Sequence, residues 1–229
     1  MPNAIYGTTA ADVLYGDISD DAIYGGQGND TIYGNEGNDS LYGGTGDDAI
    51  YGGQGDDTLS GTSGNDYLSG GSGEDLISGG AGNDTLSGST GDDWLNGGTG
   101  DDLLAGGADN DVLIGGAGND KLNGNDGNDI LYGSTGVDQL TGGAGNDTFV
   151  FYFGDSGVGS ANRDKITDFE HGVDTINLHH MAGVTAADVS FTAGASGHTI
   201  VNIDTDHNGV VDFQIDVKGA ITVADFVFA

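Results

Sequence analysis

Aspartate stands at every ninth position from Asp12 to Asp147, sixteen times with no insertion or deletion. The set is Asp12, Asp21, Asp30, Asp39, Asp48, Asp57, Asp66, Asp75, Asp84, Asp93, Asp102, Asp111, Asp120, Asp129, Asp138 and Asp147, each preceded by glycine-rich sequence. A carboxylate is a hard oxygen donor, and glycine admits the positive φ values that turn main-chain carbonyls toward a neighbouring turn. Carboxylate and carbonyl oxygens without nitrogen or sulfur are the ligand set of calcium; magnesium gives up water reluctantly, demands a tighter octahedron, and fits worse. The sixteen aspartates are therefore candidate Ca2+ ligands. Asparagine would serve a merely hydrogen-bonded turn equally well, yet it never replaces aspartate at this position.

The elements that must position these carboxylates follow from the same period. Each unit reads Gly-Gly-x-Gly-(Asn/Asp)-Asp-x-(Leu/Ile)-x, as in Gly25-Gly26-Gln27-Gly28-Asn29-Asp30-Thr31-Ile32-Tyr33. The first glycine is present in every unit from Gly7 to Gly142, and the fourth position departs from glycine only at Ala10, Ser19 and Asp109. Short periods of this kind denote a solenoid. The first six positions carry turn residues, and the last three form a short strand with one inward apolar side chain. That inward column runs from Leu14 and Ile23 through Leu140 to Phe149. Two units make one coil, so the repeats predict eight coils stacked at about 4.8 Å, two parallel sheets and two columns of turns. Aspartates of alternate units then lie about 5 Å apart and repel by about 3 kcal/mol per pair at an effective dielectric near 20. Seven gaps on each side leave room for about fourteen dications, about +28 in charge. Residues 1–150 carry 26 acids against Lys121, a charge of −25.

Composition narrows the partners. Net charge is −33 with only four Lys and Arg, so phosphate-rich partners such as nucleic acid and anionic membrane surfaces are poor candidates. The absence of cysteine excludes disulfide staples and thiolate metal sites. No stretch approaches membrane-spanning length, and the start lacks a basic and then apolar leader, so any export is expected to use another signal. Enzyme motifs are missing too. There is no His-Glu-x-x-His; His171, His179, His180, His198 and His207 all follow the repeats, and Gly154-Asp155-Ser156-Gly157 has no serine-protease framework around it. The chain is read as non-enzymatic.

The nonapeptide resembles that of the RTX (repeats-in-toxin, hemolysin-type calcium-binding) proteins over residues 7–150. The resemblance implies an all-β, right-handed parallel β-roll in which sixth-position aspartates and turn carbonyls bind multiple Ca2+. It also implies secretion by a Gram-negative type I system reading a C-terminal signal. The irregular first two units and the unit holding Asp109 put their own sites in doubt. The residues from Arg163 to Leu178 resemble the post-repeat region of serralysin-type proteases, and Ile221 to Ala229 resembles their export signal. The expected domains are a calcium-binding β-roll, 1–150, and a C-terminal β cap with the secretion signal, 151–229.

Within the cap, Thr199 to Ile203 and Val211 to Ile215 alternate as strands covering the last coil. Between them, Asp204 to Asp212 is spaced like the first nine positions of an EF-hand loop, with Ile215 where the bidentate Glu would stand. A plain hairpin and an extra calcium site both fit. Tyr6, Tyr15, Tyr24, Tyr33, Tyr42 and Tyr51 occupy successive ninth positions, and alternate members should stack as outward ladders on both sheets. Such ladders serve either as reinforcement or as a surface for sugar rings or a second copy. The expected function is a secreted, calcium-folded structural or interaction protein; the alternative is an adhesin or the polysaccharide-binding repeat module of a larger secreted enzyme or toxin. The scarcity of cations argues against an anionic polysaccharide unless calcium bridges it.

Overall fold

A computed structural model describes residues 3–159, 161–178, 181 and 183–228. Each coil closes because two constraints alternate along the chain. The aliphatic at position eight has to point inward, and the glycines that follow let the backbone reverse within a few residues. Successive strands therefore fall alternately into two sheets of eleven and twelve strands among the described residues, with parallel pairing throughout the repeats. Register is fixed at eighteen residues: Leu41 pairs with Ile23 and Leu59, and Leu104 with Leu86 and Leu122.

The strands are longer than the sequence pattern suggests. Thr31–Glu36 and Trp94–Thr99 are typical six-residue strands, so the first three positions of each unit continue the preceding strand. Only the next three positions form the tight turn. The extension is possible because the second position takes positive φ within the strand, as at Gly26 (110°) and Gly98 (108°), which bends it without ending the ladder. Non-glycine residues also adopt this conformation there, including Asn35 at 80° and Thr62 at 85°.

The core is the expected column, one side chain per strand, from Ile23 to Phe149, each no more than 1% exposed. Leu14 departs from it. It is only partly buried, because its strand, Val13–Tyr15, is the edge of its sheet and has a coil on one side only. After Phe149 the column continues without the nonapeptide: Leu140 pairs with Ile166 and then Val217, and Phe149 with Ile176 and then Phe226.

The C-terminal segment thus lengthens both sheets. Phe213–Lys218 joins the twelve-stranded sheet, followed antiparallel by His198–Ile203 and Val189–Ala193. Phe226–Val227 forms the last strand of the other sheet. The second hairpin strand begins at Phe213, two residues later than its sequence pattern suggests, since Asp212 is held in the loop by the Thr205 amide and hydroxyl, at 3.0 and 2.7 Å.

Candidate metal centre

Each repeat aspartate ends a turn and sends its side chain back along the stack. From Asp30 onward its Oδ1 accepts the main-chain N–H of the aspartate eighteen residues earlier: Asp12 N–H to Asp30, Asp57 N–H to Asp75 and Asp102 N–H to Asp120, each 2.8 Å. The bonds form two continuous ladders, one along each column of turns. The aspartate therefore does cap main chain, but in the neighbouring coil.

Its other oxygen has no such partner. Oδ2 is buried without a hydrogen bond in fourteen of the sixteen, Asp30 through Asp147. A buried acceptor left unmade costs about 1–3 kcal/mol, and a charged one more. Asparagine could supply Oδ1 but would place an N–H2 group where this second oxygen lies. The carboxyls of Asp57, Asp66, Asp75, Asp102 and Asp111 are raised to about 7, because burial and the facing aspartates push them up by more than the amide bond from the adjacent coil pulls them down. The ladder thus holds a row of carboxylate oxygens that lack a positive partner.

The invariant first glycine explains where those oxygens point. Its φ is ordinary; the constraint is space. A Cβ on Gly25 would lie 2.5 Å from Asp30 Oδ2 and 2.5 Å from the Gly43 carbonyl oxygen, which places the two oxygens at most about 5 Å apart. A calcium ion with ligands at about 2.3–2.6 Å can be shared by oxygens at that separation. An unpartnered carboxylate oxygen beside a main-chain carbonyl, repeated along each column with no nitrogen ligand, is a donor set that fits calcium.

The ends differ from the middle. Asp12 Oδ2 accepts the Thr8 amide and hydroxyl at 2.6 and 2.9 Å, and Asp21 Oδ2 accepts the Asp17 amide at 2.8 Å. These are the two irregular units. The unit holding Asp109 keeps the common geometry: Asp109 takes a φ of 78° in place of glycine, and Asp111 Oδ2 is buried and unpartnered like its neighbours.

The columns extend past the repeats. Asp164 Oδ1 accepts the Asp138 N–H at 2.9 Å, and its Oδ2 is buried and unpartnered. Asp174 Oδ1 accepts the Asp147 N–H at 3.1 Å, but its Oδ2 is taken by the Glu170 N–H at 2.7 Å. Both were missed in the nine-residue count because insertions separate them from it. The signal that could have found them is an aspartate two residues before an isoleucine, Asp164-Lys165-Ile166 and Asp174-Thr175-Ile176.

Asp204 to Asp212 forms the hairpin loop between His198–Ile203 and Phe213–Lys218. Oxygens of Asp204, Asp206 and Asp212 lie within 4.8 Å of one another. Loop amides engage these carboxylates, with Gly209 donating to Asp204 at 2.7 Å and Thr205 to Asp212 at 3.0 Å. Of the histidines after the repeats, His171 meets Asp225 at 2.8 Å and His198 meets Asp216 at 2.7 Å. His179 and His180 lie outside the described residues.

A parallel solenoid with aligned carboxylates along both turn columns defines a cation-binding β-roll. Sequence comparison is more specific. The RTX calcium-binding nonapeptide repeat family matches in overlapping segments from residue 2 to residue 158, and the chain belongs to that family. The family match stops at residue 158, short of the stretch from Arg163 to Leu178. Among solved structures the chain is similar to the R3 subunit of a mannuronan C5-epimerase from Azotobacter vinelandii. Identity is 29%, over 58% of this chain and 81% of that one, with a TM-score of 0.49. It is also similar to the extracellular lipase LipA of Serratia marcescens, at 17% identity over all of this chain and 40% of that one, with a TM-score of 0.42. No curated protein sequence matches it.

Proposed function

We propose that this is a secreted protein whose repeat aspartates bind calcium in the gaps between stacked turns and so fold the chain outside the cell, in a structural or interaction role without catalysis. The observation that carries this is the row of buried, unpartnered Oδ2 atoms from Asp30 to Asp147. Bound there, calcium would supply the positive charge these oxygens lack, and the chain's part is to hold carboxylate and carbonyl oxygens in register. Asp164 has the same two features and joins the ligand set, which takes the complement from about fourteen ions to about fifteen. Asp12 and Asp21, whose second oxygens are engaged, are the weakest members.

Residues 1–150 are proposed as the ion-binding roll and 151–229 as a cap that carries a type I export signal at 221–229. In the folded chain Ile221 and Phe226 are buried at the end of the roll, so a signal there is readable only before folding. Low cytosolic calcium keeps the chain threadable, and extracellular calcium folds it, because binding free energy is here folding free energy. A second reading, as an adhesin or a polysaccharide-binding module of a larger secreted enzyme or toxin, is favoured by the outward-facing tyrosine ladders, of which Tyr6, Tyr15 and Tyr24 are exposed. Ring centroids are 5.2 Å apart for Tyr6 and Tyr24 and 5.0 Å for Tyr24 and Tyr42; on the other sheet they are 5.1 Å for Tyr15 and Tyr33.

Counting bound calcium per chain by elemental analysis after gel filtration tests the metal reading. About fifteen ions are expected; one or two would reduce the columns to hydrogen-bonded turns. Deleting residues 221–229 should retain the protein inside the producing cell.

A further inference from the structure

The chain has four Lys and Arg among 229 residues, and the fold gathers them on one surface. Lys121 pairs in register with Gln139, Gln139 with Lys165, and Lys165 with Asp216, so these side chains form one row across neighbouring strands of the twelve-stranded sheet. Lys218 and His198 are partners two residues along the same two strands as Asp216 and Ile200, and so share that outer face. Arg163 precedes Lys165 by two and donates from Nη1 to Gln214 Oε1 at 3.4 Å, which keeps it there as well. The other sheet has no Lys or Arg within its strands; its outer row runs Leu76, Trp94, Val112 and Ile130.

Arg163, Lys165 and His198 line a groove of about 650 Å³ together with Asp216, Thr192 and Ile200. The mixture is selective. Cations suit an oxyanion, the hydroxyl and carboxylate suit sugar hydroxyls, and the isoleucine suits a C–H face. An inorganic phosphate would gain nothing from Asp216 or Ile200. The row from Lys121 to Lys165, two strand spacings or about 10 Å, suits a ligand that repeats its charge along a chain.

We propose that this face binds a carboxylate-bearing polysaccharide, a polyuronate in chemical class, with Lys165 and Arg163 holding one carboxylate and Lys121 another. The proposal rests on the calcium reading above: about fifteen dications reduce the net charge from −33 to about −3, which permits a polyanion to approach. The few cations that argued against such a ligand by composition are concentrated where they can act together.

The test uses the full chain in calcium, a short galacturonate oligomer as probe, neutral dextran as control, and the exposed-residue variant Lys121→Gln/Lys165→Gln. Circular dichroism and calcium content, recorded on the same samples, report the roll separately. Calorimetry should show binding of the galacturonate but not of dextran, weakening with added sodium chloride, and a loss of about tenfold in the variant with its calcium content unchanged. Undiminished binding in the variant would assign the contact to bridging calcium and overturn the proposal. No binding by a calcium-loaded wild-type chain would overturn it too. Wild-type self-association that the variant abolishes, without any galacturonate binding, would give the face to a second copy instead.

Discussion

At the scale of single residues, each repeat aspartate from Asp30 to Asp147 is caught between two demands: one oxygen holds a neighbouring amide and the other is buried without a hydrogen bond. Because each faces the gaps on both sides of its turn, Asp75→Ala should remove about two ions and Asp12→Ala fewer, measured by calorimetric titration; equal losses would favour independent sites. The first and second glycines differ in the same way. Gly25→Ala places a methyl against Asp30 Oδ2 and the Gly43 carbonyl and should destabilise the calcium form by about 1–3 kcal/mol. Gly26→Asn should cost less, since Asn35 already occupies that position with positive φ.

Titration follows from the same burial. The carboxyls of Asp57, Asp66 and Asp75 are raised from 3.8 to about 7 in the metal-free roll. A raised folded-state value contributes stability that is complete below 3.8 and lost as pH rises through about 7. In chelator, β ellipticity should therefore grow as pH falls from neutrality toward 4, whereas calcium affinity should fall over the same range because protons compete for the ligands. A chelated chain indifferent to pH would contradict this.

At the scale of elements, the tyrosine ladders are outward stacks at strand spacing, remote from the turns that hold the carboxylates. Replacing Tyr24, Tyr33 and Tyr42 with serine should leave calcium stoichiometry intact while lowering stability by about 0.5–1.5 kcal/mol for each stacked pair lost. Thermal unfolding together with elemental analysis separates the two effects. The repeat elements were legible in the sequence because a strict period fixes register, inward column and turn column at once. Strand length was not, because Gly26 and its equivalents look like turn residues yet bend within a strand. Asp164 and Asp174 were hidden by insertions that place them 26 and 27 residues beyond their ladder partners. The clustering of Lys121, Arg163, Lys165 and Lys218 was hidden because it exists only through pairing across the sheet.

At the scale of the molecule, two sheets run from the first repeats to the final strand, and one apolar column holds them together. That column is thin, one side chain per strand, while two rows of buried aspartates oppose it. Removing residues 151–229 would also expose Gln139–Ala144 and Thr148–Val150 as open strand edges, which invite edge-to-edge pairing. The truncated chain should sediment as aggregates in calcium where the full chain does not. If the calcium ions fold the roll, far-ultraviolet circular dichroism of the full chain at neutral pH, first in excess chelator and then in millimolar calcium, should show a disordered spectrum that becomes β on calcium addition; a β spectrum unchanged by chelator would mean that the roll stands without its ions.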